Sequence, residues 1–321
     1  MAVYTEPTDE ELDAFVAEYD IGSVRSCKGI AEGVENSNFL LTTTNGPYIL
    51  TLYEKRVDPN DLPFFLDLMV HLAGSGLECP VPVAGRDGGA LRELAGRPAA
   101  IVTFLEGMWP KRISPDHCGQ LGAALARLHL AGQGFSGTRR NSLTLPDWRP
   151  LYDRCAARAD AVAPGLGHDL EAELDHLEAQ WPKDLPVGVI HADLFPDNVF
   201  FLGGELSGLI DFYFACTDFL AYDLAVCLNA WCFEHEREFN TTKARRLLSG
   251  YQAIRPLSDA EWEALPVLAR GAAMRFLLTR LFDWLNTPPG AFVRPKDPLE
   301  YHNKMLFHRH VTGPAAYGLE R

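Results

Sequence analysis

Residues 189–212 read VIHADLFPDNVFFLGGELSGLIDF. Within this stretch His191, Asp193 and Asn198 stand in the spacing H-x-D-x-x-x-x-N, and Asp211 follows at the end of the next apolar run. Enzymes that transfer the γ-phosphoryl group of ATP use this spacing to place one base and two magnesium ligands. The stretch therefore predicts phosphotransferase chemistry on a loop that joins short strands.

Each polar side chain of the stretch has a predicted role. Asp193 is predicted to be the base that accepts the proton of an acceptor hydroxyl, while Asn198 and Asp211 supply hard oxygen ligands for Mg²⁺. His191 is predicted to support the loop through hydrogen bonds. The glycine pair 203–204 marks a hairpin that returns Asp211 to the strand end at which Asn198 begins. The alternative is a plain loop with a helix-capping Asp and a turn-forming Asn.

Composition and charge restrict the classes of protein to which the chain can belong. Its 321 residues suffice for two domains or one large bilobal unit, and no apolar run approaches the roughly 18 residues of a membrane span. The net charge of −14 argues against nucleic acid and anionic membranes as partners. The acidic start MAVYTEPTDEELDAF lacks an apolar signal region, so we expect a cytoplasmic location. The seven cysteines form no C-x-x-C pair, which is typical of reduced thiols.

Residues 1–105 are predicted to form a small β-rich lobe that binds the nucleotide. Asn45-Gly46 marks a hairpin between two apolar runs, and residues 79–83 and 99–105 predict further strands. A helix is predicted over residues 62–73, where the apolar side chains share one face.

Residues 106–321 are predicted to form a larger, mainly helical lobe with the catalytic and substrate-binding residues. The lobe begins at a break, Glu106-Gly107, and Ser114-Pro115 marks the start of its first helix. Later helical patterns are predicted near 219–233, 241–253, 259–270 and 271–286. The expected fold class is therefore α+β, a bilobal fold with ATP bound in the cleft between the lobes.

In these motifs the chain resembles the aminoglycoside phosphotransferase and choline kinase superfamily, whose fold is protein-kinase-like. The resemblance covers most of the chain and includes, besides residues 189–212, the segments 29–38, 106–107, 125–129 and 222–225. Within the superfamily the chain is most similar to the kinase-like family of bacterial homoserine kinases, through residues 48–56, 61–73, 222–234 and 275–291. The resemblance implies ATP-dependent, magnesium-dependent phosphorylation of the L-homoserine hydroxyl, a step toward threonine.

The segment 29–38 supplies most of the predicted ATP-binding residues. Its backbone amides and polar side chains could hold phosphate oxygens, although a plain β-turn is the alternative. The superfamily places a phosphate-binding Lys on the third strand, where this chain has Thr51. The predicted nucleotide-binding residues are Gly29, Gly33, Asn36, Ser37, Asn38, Thr51, Lys55 and Glu106.

The departure at Thr51 leaves open how the α- and β-phosphates are held. Lys55 lies on the same strand face but about 13 Å along it, too far to replace the missing Lys unless the strand bends. Lys28, or a different posture of the nucleotide, is the alternative. Asp67 is the nearest candidate for the acidic partner that the missing Lys would have.

A site for homoserine needs a cation for the α-carboxylate, often Arg, and an acidic or carbonyl group for the α-ammonium. The predicted substrate-binding residues are Asn229, Trp231, Arg275, Arg280 and Asp283. Arg280 and Asp283 are neighbours on one predicted helix, so a simple intrahelical ion pair is the alternative. For Trp231 the sequence alone favours a core position over a substrate contact. Asp223 is predicted to brace the catalytic loop.

Two rival functions remain at the level of sequence. One is another small-molecule kinase of the same fold, acting on choline, methylthioribose or an aminoglycoside. The other is a catalytically dead nucleotide-binding regulator, which Thr51 at the lysine position suggests. Retention of Asp193, Asn198 and Asp211 together argues against the regulator.

Overall fold

An antiparallel sheet of five strands forms the N-terminal part of the chain in the computed structural model, which describes residues 4–30, 36–54, 58–288 and 294–318. The strands are β1 (Val24–Gly29), β2 (Ser37–Thr43), β3 (Gly46–Leu52), β4 (Arg92–Leu94) and β5 (Arg97–Thr103). Their order across the sheet is β1-β2-β3-β5-β4. Thr43 pairs with Gly46, which confirms the predicted hairpin at Asn45-Gly46.

The two faces of this sheet pack against different helices. Ala99 of β5 belongs to a small core with the helix α1 (Asp9–Val16). The next residue, Ala100, belongs to the main core with the helix α2 (Leu62–Gly74). Successive residues of a strand point to opposite faces, so β5 contributes to both cores. The position of α2 confirms the helix predicted there.

The strand predicted over residues 79–83 is wrong. The segment runs beside β5, and the N–H of Val83 donates to the carbonyl of Ile101 (2.8 Å), yet it forms no regular strand among the described elements. Pro80 and Pro82 have no N–H group, so a continuous ladder cannot form along this segment.

The C-terminal part of the chain is mainly helical. Its helices are α3 (Pro115–Gly132), α4 (Leu145–Asp153), α5 (Ala156–Ala159), α6 (Leu166–Gln180), α7 (Leu220–Trp231), α8 (Thr241–Gln252), α9 (Asp259–Asn286) and α10 (Leu299–Arg309). Ser114 caps α3 by accepting the N–H of His117, and Pro115 occupies the first turn, which confirms the predicted start.

The helix α9 corrects the prediction of two separate helices over 259–270 and 271–286. It is one continuous helix of 28 residues. Gly271, where the two predicted helices met, faces Trp181, and a Cβ at this position would lie 2.2 Å from the indole ring. The glycine therefore permits close packing and does not end the helix.

Short strand pairs interrupt the helices and carry the loops of the site. β6 (Val187–Ile190) pairs with β9 (Cys216–Phe219), and β7 (Val199–Leu202) pairs with β8 (Glu205–Leu209). The predicted hairpin at Gly203-Gly204 is confirmed, and both glycines have positive φ (62° and 92°). A further pair follows, β10 (Phe233–Glu234) with β11 (Glu238–Phe239).

The link after β5 connects the two parts of the chain. Gly107 has φ of +138°, and a Cβ there would lie 2.3 Å from the hydroxyl of Ser207, so the link requires glycine. Met108 exchanges two backbone hydrogen bonds with Phe201 of β7 (3.1 and 2.9 Å). The exact lobe boundary at residues 105 and 106 stays a prediction. Among the described helices, none combines the length and apolar character needed to cross a membrane.

Candidate active site

The loop that carries Asp193 is held by the side chain of Asp223. Asp223 lies on α7, is fully buried, and accepts the N–H groups of His191 (2.7 Å) and Ala192 (2.8 Å). Ala192 has φ of +63°, a left-handed conformation that is uncommon outside glycine. The carboxylate thereby fixes the backbone turn that directly precedes Asp193.

Asp223 is the end of a buried relay of polar side chains. It accepts a hydrogen bond from His129 Nε2 (3.2 Å), and His129 Nδ1 lies 2.7 Å from the hydroxyl of Tyr251. Tyr251 accepts from Arg255 (3.0 Å), which pairs with the buried Glu261 (2.8 Å). Burial alone would raise the pKa of Asp223, but its hydrogen-bond donors hold the pKa below the ordinary value. The relay therefore keeps this carboxylate charged at neutral pH.

The ring of His191 ties the catalytic loop to the residue before Asp211. Its Nδ1 accepts the N–H of Asp193 (3.3 Å), so Nε2 carries the proton and donates it to the carbonyl of Ile210 (2.9 Å). Burial lowers the pKa of His191, and the imidazole is neutral at pH 7. Both ring nitrogens are thus used by backbone groups, a geometry that suits the predicted supporting role.

Asn198 and Asp211 lie at adjoining ends of the β7–β8 hairpin. The N–H of Ile210 donates to the carbonyl of Asn198 (3.0 Å), and Asn198 Nδ2 donates to the carbonyl of Asp193 (2.8 Å). Because the amide nitrogen is engaged, the amide oxygen is free to face a ligand. Asp211 has φ of +66°, a conformation that Asp tolerates, and is exposed. The structure thus brings the three predicted catalytic and metal-binding residues together.

The oxygens of Asn198 and Asp211 fit a hard divalent cation. Mg²⁺ in kinase sites takes one or two protein ligands, and phosphate oxygens and water complete its coordination. Within the part of the chain that the structure describes, no three His, Cys, Asp or Glu side chains converge into a closed metal site. The donor set therefore suits a metal that binds together with a nucleotide.

Three of the predicted substrate-binding residues lie behind the catalytic loop. Arg275 is 2% exposed and donates through Nη1 to the carbonyl of Ala192. Trp231 is fully buried and donates to the carbonyl of Leu194 (2.7 Å). The amide of Asn229 donates to two carbonyls, one on α7 and one on α9 (3.1 and 2.9 Å). The first two residues position the loop backbone, and Asn229 joins two helices in the core, so the structure does not bring these three residues to an acceptor pocket.

A cavity of about 330 Å³ lies beside the catalytic loop. Its lining includes residues 195–197 of that loop and Trp109 from the link between the two parts of the chain. Arg280 of α9, a predicted substrate-binding residue, lines the cavity together with Glu300 of α10. The volume is at the lower end of the range for small-molecule sites, which suits an acceptor of amino-acid size.

Glu300 bridges two cations in the wall of the cavity. One of its oxygens accepts from Arg280 and the other from Lys304, one helical turn further along α10. Arg280 also stacks over the ring of Tyr301, 4.5 Å from its centre. Burial alone would raise the pKa of Glu300, and the two cations hold it below the ordinary value. The wall therefore carries fixed charges of both signs.

Thr51 stands at the strand position where a phosphate-binding Lys was expected, and it belongs to a cluster of hydroxyl groups. Its Oγ1 donates to Asn38 Oδ1 (2.8 Å) and interacts with the phenol of Tyr213. The phenols of Tyr213 and Tyr53 lie 3.1 Å apart, and burial raises the pKa of Tyr213 to about 12. Tyr213 follows Asp211 by two residues, so the cluster connects β2 and β3 directly to the predicted metal-binding segment.

Other predicted nucleotide-binding residues lie at the same end of the sheet. Gly29 ends β1. Ser37 is fully buried and donates to the carboxylate of Glu54 (2.8 Å), while Asn36 Oδ1 accepts the N–H of Glu54 (3.2 Å). Ser37 and Asn36 therefore order the end of β3. The predictions for Gly33 and Lys55 lie outside the described residues.

The remaining candidates have separate positions. Glu106 lies in the link, where its carbonyl accepts a hydrogen bond from Ser207 (2.8 Å). Lys28 and Asp67 are both exposed, on β1 and α2. Asp283 lies one turn from Arg280 on α9, and its carbonyl accepts the N–H of Thr287 at the helix end (2.9 Å).

Sequence reasoning missed several residues that the structure places at the site. Glu300 and Lys304 are four residues apart, and this spacing on a helix is a usable signal for an ion pair. Tyr213 directly follows the Ile-Asp-Phe segment, but its contact with Tyr53 joins residues 160 positions apart, for which one sequence offers no signal. His129 lies in a recognised segment, although nothing local shows its bond to Asp223.

The β-sheet lobe, the helical lobe and the loop geometry between them define a protein-kinase-like phosphotransferase. The model of the phosphotransferase enzyme family matches residues 26–257, and the chain belongs to this family.

Individual proteins also match the chain over all or nearly all of its length. The chain is 71% identical to the homoserine kinase of Rhodospirillum rubrum over 321 residues, which are 100% of both chains. It is 64% identical to the homoserine kinase of Paramagnetospirillum magneticum over 326 residues, again 100% of both. A solved structure of amicoumacin kinase in complex with AMP-PNP, Ca²⁺ and Ami superposes with a TM-score of 0.69 at 16% identity, covering 95% of this chain and 94% of that one. This likeness concerns the fold alone and confirms the predicted bilobal, protein-kinase-like class.

Proposed function

We propose that the protein is a homoserine kinase, which transfers the γ-phosphoryl group of ATP to the hydroxyl of L-homoserine and forms O-phospho-L-homoserine and ADP. The observation that carries this proposal is the 71% identity to a homoserine kinase over the whole of both chains. The cavity beside the catalytic loop supports it, because charges of both signs suit an acceptor with an ammonium and a carboxylate. All seven cysteines are unpaired, which agrees with a reducing, cytoplasmic location.

In the proposed reaction Asp193 accepts the proton of the homoserine hydroxyl as the hydroxyl oxygen attacks the γ-phosphorus. A new O–P bond forms, the bond from the γ-phosphorus to the bridging oxygen breaks, and ADP leaves with that electron pair. The loop contributes position more than chemistry. His191 and Asn198 hold the backbone of Asp193 through its N–H and its carbonyl, so the carboxylate meets the acceptor without reorganisation.

Asn198 and Asp211 are the proposed ligands of the divalent metal, which we take to be Mg²⁺. When bound, the metal supplies neutralisation of the charge that develops on the phosphate oxygens. The protein's part is to hold the two ligands in register. It does so through the bond from the N–H of Ile210 to the carbonyl of Asn198, which ties the start of one strand to the end of the next.

ATP is proposed to lie between the sheet and the catalytic loop, with its base against the link that contains Glu106. The Thr51 cluster would form the wall facing the phosphates, so no Lys of β3 reaches them there. The triphosphate would then depend on backbone amides near Gly29 and on the metal. This arrangement predicts a stronger dependence of ATP affinity on the metal than in kinases that have the strand lysine.

The test is ADP release by the purified protein with Mg-ATP and a panel of acceptors, namely L-homoserine, choline, methylthioribose and an aminoglycoside. We expect kcat/KM for L-homoserine to exceed that for each other acceptor by at least about 100-fold. Turnover of another acceptor without turnover of L-homoserine would contradict the proposed substrate. ATP binding without turnover of any acceptor would favour the regulator instead.

A further inference from the structure

Four charged residues of the cavity wall come from a part of the chain that the family-wide match does not include. The model of the phosphotransferase enzyme family ends at residue 257, whereas Arg280, Lys296, Glu300 and Lys304 all lie beyond it. The residues proposed for phosphoryl transfer lie inside the match. Function differs between members of one fold through their sites, so the later segment is where recognition of the acceptor is expected.

We propose that Arg280, held in place by Glu300 and Lys304, binds the α-carboxylate of the acceptor and makes the enzyme selective for α-amino acids over amino alcohols. This inference rests on the proposed homoserine kinase activity and names the residues that recognise the acceptor. A guanidinium has five N–H donors in a fork that matches a carboxylate. The bonds from Arg280 to Glu300 and to the carbonyl of Asp297 both use Nη1, which leaves the Nε and Nη2 donors outside these two bonds.

Two neighbouring cations are less suited to this task. Arg275 is 2% exposed and its Nη1 is bound to the carbonyl of Ala192. The side chain of Lys304 is 5% exposed, and its ammonium lies 4.4 Å from the ring centre of Tyr301. Lys304 is therefore enclosed between an aromatic ring and Glu300, where it acts as a fixed counter-ion. It positions Glu300, and Glu300 in turn positions Arg280.

The charges around Arg280 favour a zwitterionic acceptor. Arg280 and Lys304 together outweigh the single carboxylate of Glu300, and the exposed Lys296 adds a further positive charge at the cavity. Asp197, on the catalytic loop, supplies a negative charge to the same cavity. An α-carboxylate thus meets an excess of cations and an α-ammonium meets a carboxylate. An amino alcohol has no carboxylate to bind the guanidinium of Arg280 and gains nothing from the excess of cations, which weakens its binding.

The experiment compares L-homoserine with 3-amino-1-propanol, which is homoserine without its carboxylate. We expect Arg280→Met to lower kcat/KM for L-homoserine about 100-fold, mainly through KM, and to change that for 3-amino-1-propanol less than about threefold. Arg280→Lys keeps the charge and loses the fork, and an intermediate loss of about tenfold is expected. The matched control is Arg154→Met, because Arg154 is exposed and stacks on Phe282 of α9, 4.2 Å from its ring centre, and is not part of the cavity lining.

The outcomes separate this inference from the proposed function. If the unaltered enzyme does not phosphorylate L-homoserine, the proposed function fails. If the unaltered enzyme does phosphorylate L-homoserine, two results for Arg280→Met would overturn the carboxylate assignment while the function stands. One is an equal loss of kcat/KM for both acceptors, and the other is no loss for either acceptor. If Arg280→Met does not fold, the assignment is tested with Arg280→Lys and the unaltered enzyme instead. Equal kcat/KM values of the unaltered enzyme for the two acceptors would also overturn the assignment.

Discussion

Asp193 occupies a loop in which hydrogen bonds to its own backbone groups help to fix its position. Its N–H donates to His191 Nδ1 (3.3 Å) and its carbonyl accepts from Asn198 Nδ2 (2.8 Å). The preceding residue, Ala192, is held in its left-handed conformation by the carboxylate of Asp223. These backbone hydrogen bonds do not involve the carboxylate, so an amide of the same shape at this position keeps them and tests the chemistry of the carboxylate.

We expect Asp193→Asn to reduce kcat for L-homoserine by at least about 1000-fold while the affinity for Mg-ATP changes less than about threefold. The reason is that an amide cannot accept the hydroxyl proton, although it preserves the shape of the side chain. Coupled measurement of ADP release gives kcat, and calorimetric titration gives the affinity. Near-normal turnover in this variant would exclude Asp193 as the base.

At the level of elements, α3 and α8 approach each other closely enough that only glycine fits between them. A Cβ at Gly250 of α8 would lie 2.1 Å from the carbonyl oxygen of Gly119, and one at Gly122 of α3 would lie 2.0 Å from the carbonyl oxygen of Leu247. Both partners are backbone atoms, which cannot turn aside as a side chain can. This contact positions the helix that carries His129 against the helix that carries Tyr251.

We expect Gly250→Ala to lower the free energy of unfolding by about 2–3 kcal/mol, because the added methyl group forces the two helices apart. Gly74→Ala is the matched control, since Gly74 is also helical and a Cβ there meets nothing within 4 Å. This control should be neutral or stabilise the protein by up to about 1 kcal/mol. Urea denaturation of both variants gives the comparison. Equal midpoints for the two variants would contradict the close-packing argument.

The elements that the sequence predicted correctly are those with strong local signals. The α2 stripe, the Ser114-Pro115 start and the hairpin glycines 203–204 each depend on residues near one another in the chain. The division predicted between residues 270 and 271 is wrong, because Gly271 lies inside one continuous helix and packs against a distant aromatic ring. That partner, Trp181, is 90 residues away, so only the tertiary structure explains the glycine.

At the level of the whole molecule, the site also combines residues that have local sequence signals with contacts between residues far apart in the chain. Asp193, Asn198 and Asp211 could be named because their spacing lies within one stretch. The missing strand lysine could also be noted at Thr51, but not what occupies its place. The Thr51 cluster joins the sheet to the segment after Asp211 through Tyr213, and hydroxyl groups there take the position of the expected ion pair. Such pairings depend on how the two parts of the chain meet, and a single sequence does not contain that information.

The stability of the whole molecule should depend on pH through His308 on α10. His308 is fully buried, and Asn229 fixes its protonation: the Asn229 amide nitrogen binds two carbonyls, so its oxygen accepts from His308 Nε2 (3.3 Å). His308 Nδ1 then accepts from the hydroxyl of Tyr317 (2.8 Å). Burial, with a smaller contribution from the nearby charges of Arg270 and Lys304, lowers the pKa of His308 from 6.5 to about 3.

Because the pKa of His308 is lower in the folded protein than in the unfolded chain, the unfolded chain binds more protons between pH 3 and pH 6.5. The stabilisation is complete above pH 6.5 and is lost as the pH falls. We expect about 2 kcal/mol less stability at pH 5 than at pH 7 from this group. Urea denaturation at both pH values should show this difference in the unaltered protein and in the control His310→Gln, whose histidine is exposed. His308→Gln should be less stable at pH 7 but show a difference about 2 kcal/mol smaller. An equal pH difference in all three proteins would show that His308 is not the group responsible.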